Sequence, residues 1–396
     1  MKKKWFPGSR YQDIWNSYSE EPVIFINALS LTHGGSFTVL KNYILSFIEQ
    51  RPDWRYLILQ DTIDESFDFG NIGPNACILY CGEKKMGLVS RYLWEKRWLG
   101  VVCKSLNCDI YFGPNGVYHP NAALPQCLLV QDPAPFILRA RSFKIAIRNL
   151  LLRKNWSNGV KQASCMGYTS NFMRSLVINY AGCEESNYII AYNGIDRSIQ
   201  ETAKQPFLPF VEREPFILGV STINKHKNFE TLMHALSILR KKTGFEHYNL
   251  KIMGRLLINS YYEFLKSEAV RLGLKDAVIF ELNCPWENIA HAYKVASLFS
   301  LTSLCESFGM PALEAMAHGT PVVVGNSTAV PEICGNAAVL VSPNDHEALA
   351  EAWAKILSNE SDYLKMQNAG RSRCLEFDWH KTVAQWIDIF ENILSK

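Results

Sequence analysis

Apolar runs of strand length alternate with longer segments of helical periodicity along almost the whole chain. Residues 22–27 (PVIFIN) predict a first buried strand, and a polar turn at 33–36 separates it from a helix over about 37–49. Further strands are predicted at 55–60, 76–80, 109–112, 126–131, 164–169 and 187–191. Strands that alternate with helices in this way are typical of parallel α/β domains.

Three prolines interrupt this alternation between 197 and 215, at Pro206, Pro209 and Pro215. The alternation then resumes, with strands predicted at 216–221, 249–253, 277–281, 297–303, 321–324 and 338–341. Helices are predicted between them at 228–242, 260–272, 286–295, 311–318, 346–358 and 361–375. A last helix over about 379–394 is expected to return to the first half.

The two series of elements predict two domains, in agreement with the two or three that 396 residues suggest at about 150 per domain. The expected fold is α/β, with two Rossmann-like doubly wound domains that face each other across a cleft. The N-terminal domain spans 1–200 and is joined by the C-terminal helix 379–396, and the C-terminal domain spans 201–378. Ligands of such domains bind outside the carboxyl ends of the strands.

Composition excludes several classes of protein. A hydrophobic fraction of 48% with 20% charged residues excludes wholesale disorder, and a formal net charge of +3 excludes a uniformly basic nucleic-acid binder. The eleven cysteines are odd in number and lack the paired spacing of a zinc site, so free thiols are expected. The N-terminus does not resemble a signal peptide, and no apolar run reaches 18 residues. A cytoplasmic protein is expected, with contact to the inner face of the membrane left open.

The near-neutral net charge conceals two basic segments. Residues 84–104 carry six Lys or Arg and one Glu, and residues 139–161 carry seven Lys or Arg and no acidic residue. In the second segment Phe143, Ile147, Leu150 and Leu151 share one helical face. That pattern fits either an interfacial helix that binds anionic lipid headgroups or a helix that packs on the core with a solvated basic back.

The most informative stretch lies at 298–323, where a predicted strand leads through a loop into a helix and a further strand. Pro311 stands at the start of the helix and Gly319 just past its end, as helix termini favour. The loop amides and the helix N-terminus converge on a point suited to a phosphate. Glu306 and Glu314 stand beside it, and hydroxyl groups of a sugar or a ribose are suitable partners for their carboxylates.

Residues 306–323 (ESFGMPALEAMAHGTPVV) resemble the donor-site signature of the family 4 retaining glycosyltransferases, which have the GT-B fold. The alternative interpretation is an ordinary strand–loop–helix unit with exposed glutamates. Further segments resemble the same family, namely 170–174, 193–196, 220–228 and 378–382. The match is continuous from about 160 to 395 and weaker from 22 to 135.

The resemblance implies a role for each matching residue on the donor side. Lys227 would hold the donor diphosphate, Glu306 hydroxyls of the transferred sugar and Glu314 the ribose. The backbone of Phe308, Gly309 and Met310 would bind near the sugar and phosphate, and Gly34 and Gly35 would let a loop of the first domain approach the phosphates. Open alternatives are a solvated surface lysine at 227 and a simple tight turn at 34–35.

Two positions depart from the family pattern. Thr222 stands where many members carry an arginine five residues before the diphosphate lysine, so charge compensation would rest on Lys227, nearby Lys225 and His226, and helix N-termini. Gln131 precedes Asp132 where many members have His-Asp on the acceptor side. Since glutamine cannot exchange a proton, Gln131 is restricted to hydrogen bonding. His119 is a substitute candidate, with a surface-loop histidine as the alternative.

The resemblance implies transfer of a hexose from a nucleotide diphosphate sugar to a glycan acceptor, without a metal or an organic cofactor. GDP-mannose is the favoured donor, and a lipid-linked acceptor in O-antigen or capsule synthesis the favoured setting. The expected partners are thus a nucleotide sugar, a glycan or lipid-linked oligosaccharide and an anionic membrane, but no nucleic acid. A sugar-nucleotide epimerase of GT-B fold and a non-catalytic glycan-binding protein remain alternatives.

Overall fold

The computed structural model describes residues 21–29, 35–61, 69, 72–81 and 86–396, apart from the side chain of Leu88. The chain divides into two compact units. The N-terminal unit ends at Gly194 and includes Trp379–Lys396, and the C-terminal unit is Ile195–Asp378. Each unit is built on its own parallel sheet.

The sheet of the N-terminal unit has seven strands among the described residues. They are β1 (Val23–Asn27), β2 (Arg55–Gln60), β3 (Ala76–Tyr80), β4 (Ile110–Gly113), β5 (Gln126–Val130), β6 (Cys165–Tyr168) and β7 (Tyr188–Ile190). Their order is β3-β2-β1-β4-β5-β6-β7, and every neighbouring pair is parallel. The helices that follow are α1 (Gly35–Gln50), α2 (Leu88–Ser105), α3 (Ala134–Ile137), α4 (Phe143–Gln162) and α5 (Asn171–Ala181).

Both faces of this sheet are buried, which is why its strands read as continuous apolar runs. Ile24 and Ile26 of β1 face one hydrophobic cluster, with α1 and the C-terminal helix, while Val23 and Phe25 face another, with α2, α4 and α5. Successive residues of a strand point to opposite faces, so one strand contributes to both cores.

The C-terminal unit repeats this plan with six parallel strands, in the order β10-β9-β8-β11-β12-β13. They are β8 (Glu214–Val220), β9 (Asn249–Gly254), β10 (Val278–Leu282), β11 (Ala296–Leu301), β12 (Val322–Gly325) and β13 (Ala338–Val341). The helices of this unit are α6 (Arg197–Lys204), α7 (Phe229–Leu239), α8 (Asn259–Arg271), α9 (Trp286–Val295), α10 (Met310–Ala317), α11 (Val330–Cys334), α12 (His346–Leu357) and α13 (Glu360–Cys374). The prediction of two doubly wound parallel sheets is confirmed.

The last helix, α14 (Trp379–Leu394), lies in the N-terminal unit and packs on α1. Trp386 of α14 is fully buried against β6, where a Cβ at Gly167 would come within 2.3 Å of its indole ring. The indole therefore occupies the space that a side chain at position 167 would need.

One sequence prediction fails in the second unit. The segment 197–215 was expected to interrupt the regular structure, but its first part forms α6, and a short 3-10 turn follows at Phe210–Glu212. Ile199 and Ala203 are four residues apart and both buried, so they form one apolar helical face ahead of Pro206. The prolines mark the end of this helix rather than a linker.

Two further observations concern the chain as a whole. All eleven cysteines carry free thiols, as the sequence predicts, and nine of them are buried. Within the described ranges, no helix combines the length and the apolar character needed to cross a membrane.

Candidate active site

The order of each sheet reverses at one point, and in doubly wound sheets the ligand crevice lies there, outside the carboxyl ends of the strands. In the C-terminal unit this point falls between β8 and β11. The turn Lys225–Lys227 follows β8, and the loop that carries Glu306 follows β11. The predicted donor residues therefore stand at the expected crevice of this unit.

Lys227 and Glu306 form an ion pair, with 2.6 Å between Nζ and Oε1. Their side chains are only 12% and 11% exposed. The interpretation of Lys227 as a solvated surface lysine is therefore wrong. The carboxylate compensates the charge of the ammonium, and both side chains keep a small exposed surface that a bound molecule could contact.

Asn228 fixes the turn that carries Lys227. It is buried in a left-handed conformation with φ of 56°, which asparagine tolerates better than most residues. Its side-chain amide donates to the carbonyl groups of Thr302 and Pro343 at 3.2 and 2.7 Å, and its own carbonyl accepts from the Thr302 hydroxyl at 3.0 Å. Asn228 thus ties the turn after β8 to the end of β11, and its role was not predicted from the sequence.

Thr328 fixes the backbone of Glu306. The hydroxyl of Thr328 accepts a 3.0 Å hydrogen bond from the Glu306 amide, and Thr328 itself has a positive φ of 55°. A β-branched residue in this region is strained by roughly 1–3 kcal/mol, and such strain tends to occur at functional sites. Thr328 lies outside the signature, so the sequence alone gave no reason to single it out.

The loop after β11 enters α10 through Gly309, whose φ of +105° favours glycine. Pro311 stands in the first turn of α10. Among the described residues, no side chain caps the N-terminal amide groups of this helix. The ring of Phe308 is buried edge-on against Phe377, with centroids 5.5 Å apart. Because the side chain of Phe308 belongs to the core, the loop can offer a ligand only its backbone at this position, and binding of a donor by the backbone of 308–310 stays a prediction.

Glu314 lies within α10 and accepts a 2.8 Å hydrogen bond from the hydroxyl of Tyr293 on α9. The residue keeps some exposed surface, but protein atoms surround its carboxyl group. This desolvation, together with the nearby charge of Asp196, raises the pKa of Glu314 to about 7, although the Tyr293 hydrogen bond opposes the shift. Tyr293 is a third residue whose role was not predicted, after Asn228 and Thr328, since it lies outside the signature.

The end of the signature is structural. Gly319 has a φ of +72°, and a Cβ at this position would come within 2.3 Å of the ring of Phe207. The buried guanidinium of Arg213 donates to the carbonyl of Gly319 and the hydroxyl of Thr320, both within 2.8 Å. The hydroxyl of Thr320 in turn donates to the backbone carbonyl of Tyr293. These contacts hold α9, which carries Tyr293, beside α10, which carries Glu314.

The remaining donor-side candidates are less constrained. Thr222 is half-buried just after β8. Gly35 is exposed at the start of α1 in the N-terminal unit, and a Cβ there would meet no described residue within 4 Å. Gly34 lies outside the described residues. Within the described residues, no group of three or more His, Cys, Asp or Glu side chains is placed to hold a metal ion.

On the acceptor side, Gln131 and Asp132 follow β5 in the N-terminal unit. The Gln131 amide donates to the carbonyl of Pro114, which follows β4, at 2.5 Å, and a carboxylate oxygen of Asp132 accepts from the amide of Ala134 at 3.0 Å. Asp132 is exposed at the surface, but the protein around its carboxyl desolvates it and raises its pKa. Both side chains therefore help to shape the carboxyl edge of this sheet.

His119 is not a surface-loop residue. It is only 8% exposed, and burial lowers its pKa to about 4, so the ring is neutral at physiological pH. Its Nε2 lies 3.8 Å from Oε1 of Glu95 and has no hydrogen-bond partner in the part of the chain that the structure describes. Asn27, at the end of β1, donates to Glu95 and to the Tyr111 hydroxyl, both at 2.9 Å. His119 thus belongs to a buried polar cluster, which leaves little of its ring accessible to an acceptor.

The basic segments expose apolar side chains. On α4, Phe143 is 80% and Leu151 60% exposed, and Ile147 and Leu150 are exposed as well. On α2, the exposed apolar residues include Val89, Tyr92 and Leu93. The helix of segment 139–161 therefore packs on the core through its second half, at Trp156 and Val160, while the four residues predicted to share its apolar face are all exposed to solvent. We call the first half of α4, residues 143–151, the exposed apolar face.

Comparison with known proteins finds a family model that matches most of the C-terminal unit. The model of the family described as "Glycosyl transferases group 1" matches residues 200–373. The O-antigen chain mannosyltransferase B of Escherichia coli is 24% identical over 288 residues, which cover 71% of this chain and 74% of that protein. The MMP alpha-(1->4)-mannosyltransferase of Mycolicibacterium hassiacum is 31% identical over 174 residues, 43% of this chain and 41% of that protein.

Solved structures share the fold. The sucrose-phosphate synthase of Thermosynechococcus elongatus has a TM-score of 0.74 at 16% identity, over 95% of this chain and 100% of that chain. Anabaena HepE in complex with UDP has a TM-score of 0.70 at 18% identity, over 94% of this chain and 100% of that chain. The fold class predicted from the sequence, GT-B with two Rossmann-like domains, is confirmed. The chain is a glycosyltransferase, and its residues 200–373 match the model of the glycosyl transferases group 1 family.

Proposed function

We propose that this enzyme transfers mannose from GDP-mannose, with retention of anomeric configuration, to a lipid-linked glycan acceptor in O-antigen or capsule synthesis. The observation that carries the proposal is the ion pair of Lys227 and Glu306 at the switch point of the C-terminal sheet. An ammonium beside the unsatisfied amides of α10 suits a diphosphate, and a carboxylate next to that ammonium suits the hydroxyls of the attached sugar.

On the donor side, the Lys227 ammonium moves from Glu306 toward the diphosphate and stabilises the charge that develops as the nucleotide leaves. Glu306 then accepts hydrogen bonds from hydroxyls of the sugar, and Glu314 from the ribose. The backbone of Phe308, Gly309 and Met310 lies beside the sugar and phosphate, and Gly35 leaves room for a close approach. With Thr222 in place of an arginine, Lys227 carries most of the charge compensation.

Retention follows if the acceptor hydroxyl attacks the anomeric carbon from the face that the diphosphate leaves. The bond from the anomeric carbon to the phosphate oxygen breaks, the bond to the acceptor oxygen forms, and the acceptor proton passes to the departing phosphate. In this scheme the protein contributes position and charge stabilisation, so it requires neither a metal nor an organic cofactor.

The donor assignment draws on the relatives. The protein of Escherichia coli is named an O-antigen chain mannosyltransferase, as is the RfbU protein of Salmonella typhimurium, which is 26% identical over 60% of its own length. Anabaena HepE, which shares the fold, was solved with UDP, so the fold by itself does not decide in favour of GDP. Residues 281 and 282 end β10, and residue 283 follows it. These three residues are the proposed contacts to the base of the nucleotide.

The acceptor assignment draws on the exposed apolar face of α4. Apolar side chains in solvent, flanked by the basic residues Lys144, Arg148 and Lys154, match the apolar core and anionic headgroups of a membrane surface. An enzyme that docks there meets a lipid-linked acceptor at the inner face of the membrane. Asp132 and Gln131 are the proposed acceptor-side contacts, whereas His119 belongs to the buried cluster with Glu95.

A panel of nucleotide sugars tests the proposal. The full-length enzyme is incubated with GDP-mannose, UDP-glucose and ADP-glucose, with and without a glycolipid extract of the producing cells, and nucleoside diphosphate is quantified. We expect release of GDP that depends on the extract. Conversion of the free donor to an epimer would instead identify an epimerase, and donor binding without turnover a non-catalytic protein.

A further inference from the structure

A cavity of about 280 Å³ lies in the N-terminal unit, at the carboxyl end of β5 and between α3 and the first half of α4. Its lining includes Phe136, Arg139, Asn149 and Arg153. The cavity is much larger than the ~30 Å³ that one water molecule occupies in the liquid, so it has room for a group of several heavy atoms. It is distinct from Lys227, Glu306 and Glu314, which belong to the C-terminal unit.

The ionisable residues that line this cavity are all basic. Arg139 and Arg153 line it, and none of its lining residues is acidic. The described carboxylate on this edge, Asp132, precedes the lining segment and is influenced by Arg148. A concave site with two guanidinium groups and no carboxylate in its wall favours an anion, and the planar guanidinium matches the oxygens of a phosphate.

Arg153 is held in the wall of the cavity. Its guanidinium lies 5.2 Å from the centre of the Tyr180 ring, and within the described residues its buried Nε has no hydrogen-bond partner. Because Nε has almost no accessible surface, an anion in the cavity would contact the terminal nitrogens of this guanidinium, whose charge is otherwise opposed by no acidic residue of the wall. Asn149, which is also buried in the wall, can add an amide donor.

The cavity adjoins the exposed apolar face of α4, because Ala146 and Asn149 line the one and belong to the segment of the other. Phe143 and Leu151 stand in solvent on the same stretch of helix. A ligand with an anionic head and a long hydrocarbon chain would therefore find a site for each part in one place. Phosphate alone would use only the cavity, and a fatty alcohol only the helix.

We propose that this cavity binds the diphosphate of a prenyl-diphosphate-linked acceptor, with Arg139 and Arg153 as its donors and the exposed apolar face of α4 beside the prenyl chain. The inference rests on the proposed function in so far as it takes the acceptor to be lipid-linked. It adds the identity of the anionic group and the residues that hold it.

The test is a binding measurement on the full-length protein without a sugar donor. Farnesyl diphosphate, farnesyl monophosphate, farnesol and inorganic diphosphate are titrated calorimetrically. We expect farnesyl diphosphate to bind most tightly, since only it provides both the diphosphate and the chain. Equal affinity for farnesol and farnesyl diphosphate would overturn the proposal. Displacement of farnesyl diphosphate by phosphatidylglycerol vesicles, in an Arg153-dependent manner, would assign the cavity to phospholipid headgroups instead and also overturn it.

Substitutions locate the site. Arg153→Gln and Arg139→Gln should each weaken binding of farnesyl diphosphate about tenfold or more, as loss of a charge-assisted hydrogen bond implies. Arg153→Lys should recover part of the loss, because lysine keeps the charge but not the planar fork. Lys161→Gln, an exposed charge near the other end of α4, is the matched control and should bind as the wild type does. Arg139 is itself exposed, so its variant remains informative if Arg153→Gln fails to fold.

Failure of this inference and of the proposed function give different results. A protein that binds farnesyl diphosphate through Arg153 but turns over no nucleotide sugar contradicts the proposed function alone. A protein that transfers sugar, but whose Arg139→Gln and Arg153→Gln variants keep the KM for the glycolipid extract and the affinity for farnesyl diphosphate, contradicts this inference alone.

Discussion

The hydroxyl of Tyr293 donates a 2.8 Å hydrogen bond to the carboxyl group of Glu314, and desolvation raises the pKa of that carboxyl to about 7. An ordinary glutamate, with a pKa of 4.5, would be almost fully ionised at neutral pH. Glu314 is instead divided between its protonated and ionised forms, and two predictions follow from this.

The first prediction concerns stability. Because the pKa of Glu314 is higher in the folded state, the folded protein binds more protons than the unfolded chain between pH 4.5 and 7, and the free energy of unfolding falls as pH rises through this window. Glu314→Gln mimics the protonated form. Its free energy of unfolding should exceed that of the wild type by about 1–3 kcal/mol at pH 8, with the difference vanishing toward pH 4.5.

Urea denaturation at pH 4.5, 6, 7 and 8 measures this difference. Tyr293→Phe is the companion variant, since it removes the hydrogen bond and should raise the pKa of Glu314 further. A pH-independent difference between Glu314→Gln and the wild type would show that Glu314 titrates normally.

The second prediction concerns donor binding. Ribose hydroxyls that donate to Glu314 favour its ionised form, so affinity for GDP-mannose should weaken as pH falls below about 7, by at most one decade per pH unit. Glu314→Gln should bind more weakly at pH 8 and lose this inflection. Titration calorimetry between pH 5.5 and 8.5 measures both effects. An unchanged inflection in the variant would remove Glu314 from the ribose site.

The third prediction separates a steric clash from backbone strain. Gly319 and Gly273 have nearly the same φ, +72° and +70°, but a Cβ at Gly319 would meet the Phe207 ring at 2.3 Å while one at Gly273 would meet nothing within 4 Å. Gly273→Ala should cost about 1–2 kcal/mol of unfolding free energy from strain alone. Gly319→Ala should cost roughly 1–3 kcal/mol more. Equal losses in urea denaturation would mean that the Phe207 contact is readily relieved.

The fourth prediction concerns the membrane. Phe143 and Leu151 are 80% and 60% exposed on α4, so replacing both with serine should leave the fold intact and weaken binding to phosphatidylglycerol vesicles at least tenfold, since each buried apolar side chain contributes about 1.5–3 kcal/mol. Val211→Ser, at a residue 79% exposed in the other unit, is the matched control. Vesicle sedimentation at low and high salt provides the measurement. Binding that is unaffected by the double substitution and by salt would exclude this face as the docking surface.

The sequence predicted the elements well because both sheets are buried on two faces and their strands are continuous apolar runs. It missed α6, where Ile199 and Ala203 form only a short apolar face and the prolines that follow dominate the pattern. It also left open where residues 143–151 face, since an amphipathic helix has the same periodicity whether a core or a lipid covers it.

The candidate site divides in the same way. The signature singled out Lys227, Glu306 and Glu314, because their types and spacing are local properties of the chain. Asn228 and Thr328 could not be found in this way. Their importance arises from contacts across tens of residues and from positive φ angles, which only the folded chain reveals.

The central claim is that Lys227, paired with Glu306, receives the diphosphate of the donor. Calorimetric titration of GDP-mannose into the wild type, Lys227→Met and the control Lys275→Met tests this claim directly. Lys275 is a suitable control because it is exposed and precedes β10, at the amino ends of the strands, whereas Lys227 follows the carboxyl end of β8. Loss of a charge-assisted contact predicts a Kd about ten- to hundredfold higher for Lys227→Met, with no change for Lys275→Met. Equal Kd values for Lys227→Met and the wild type would contradict the account.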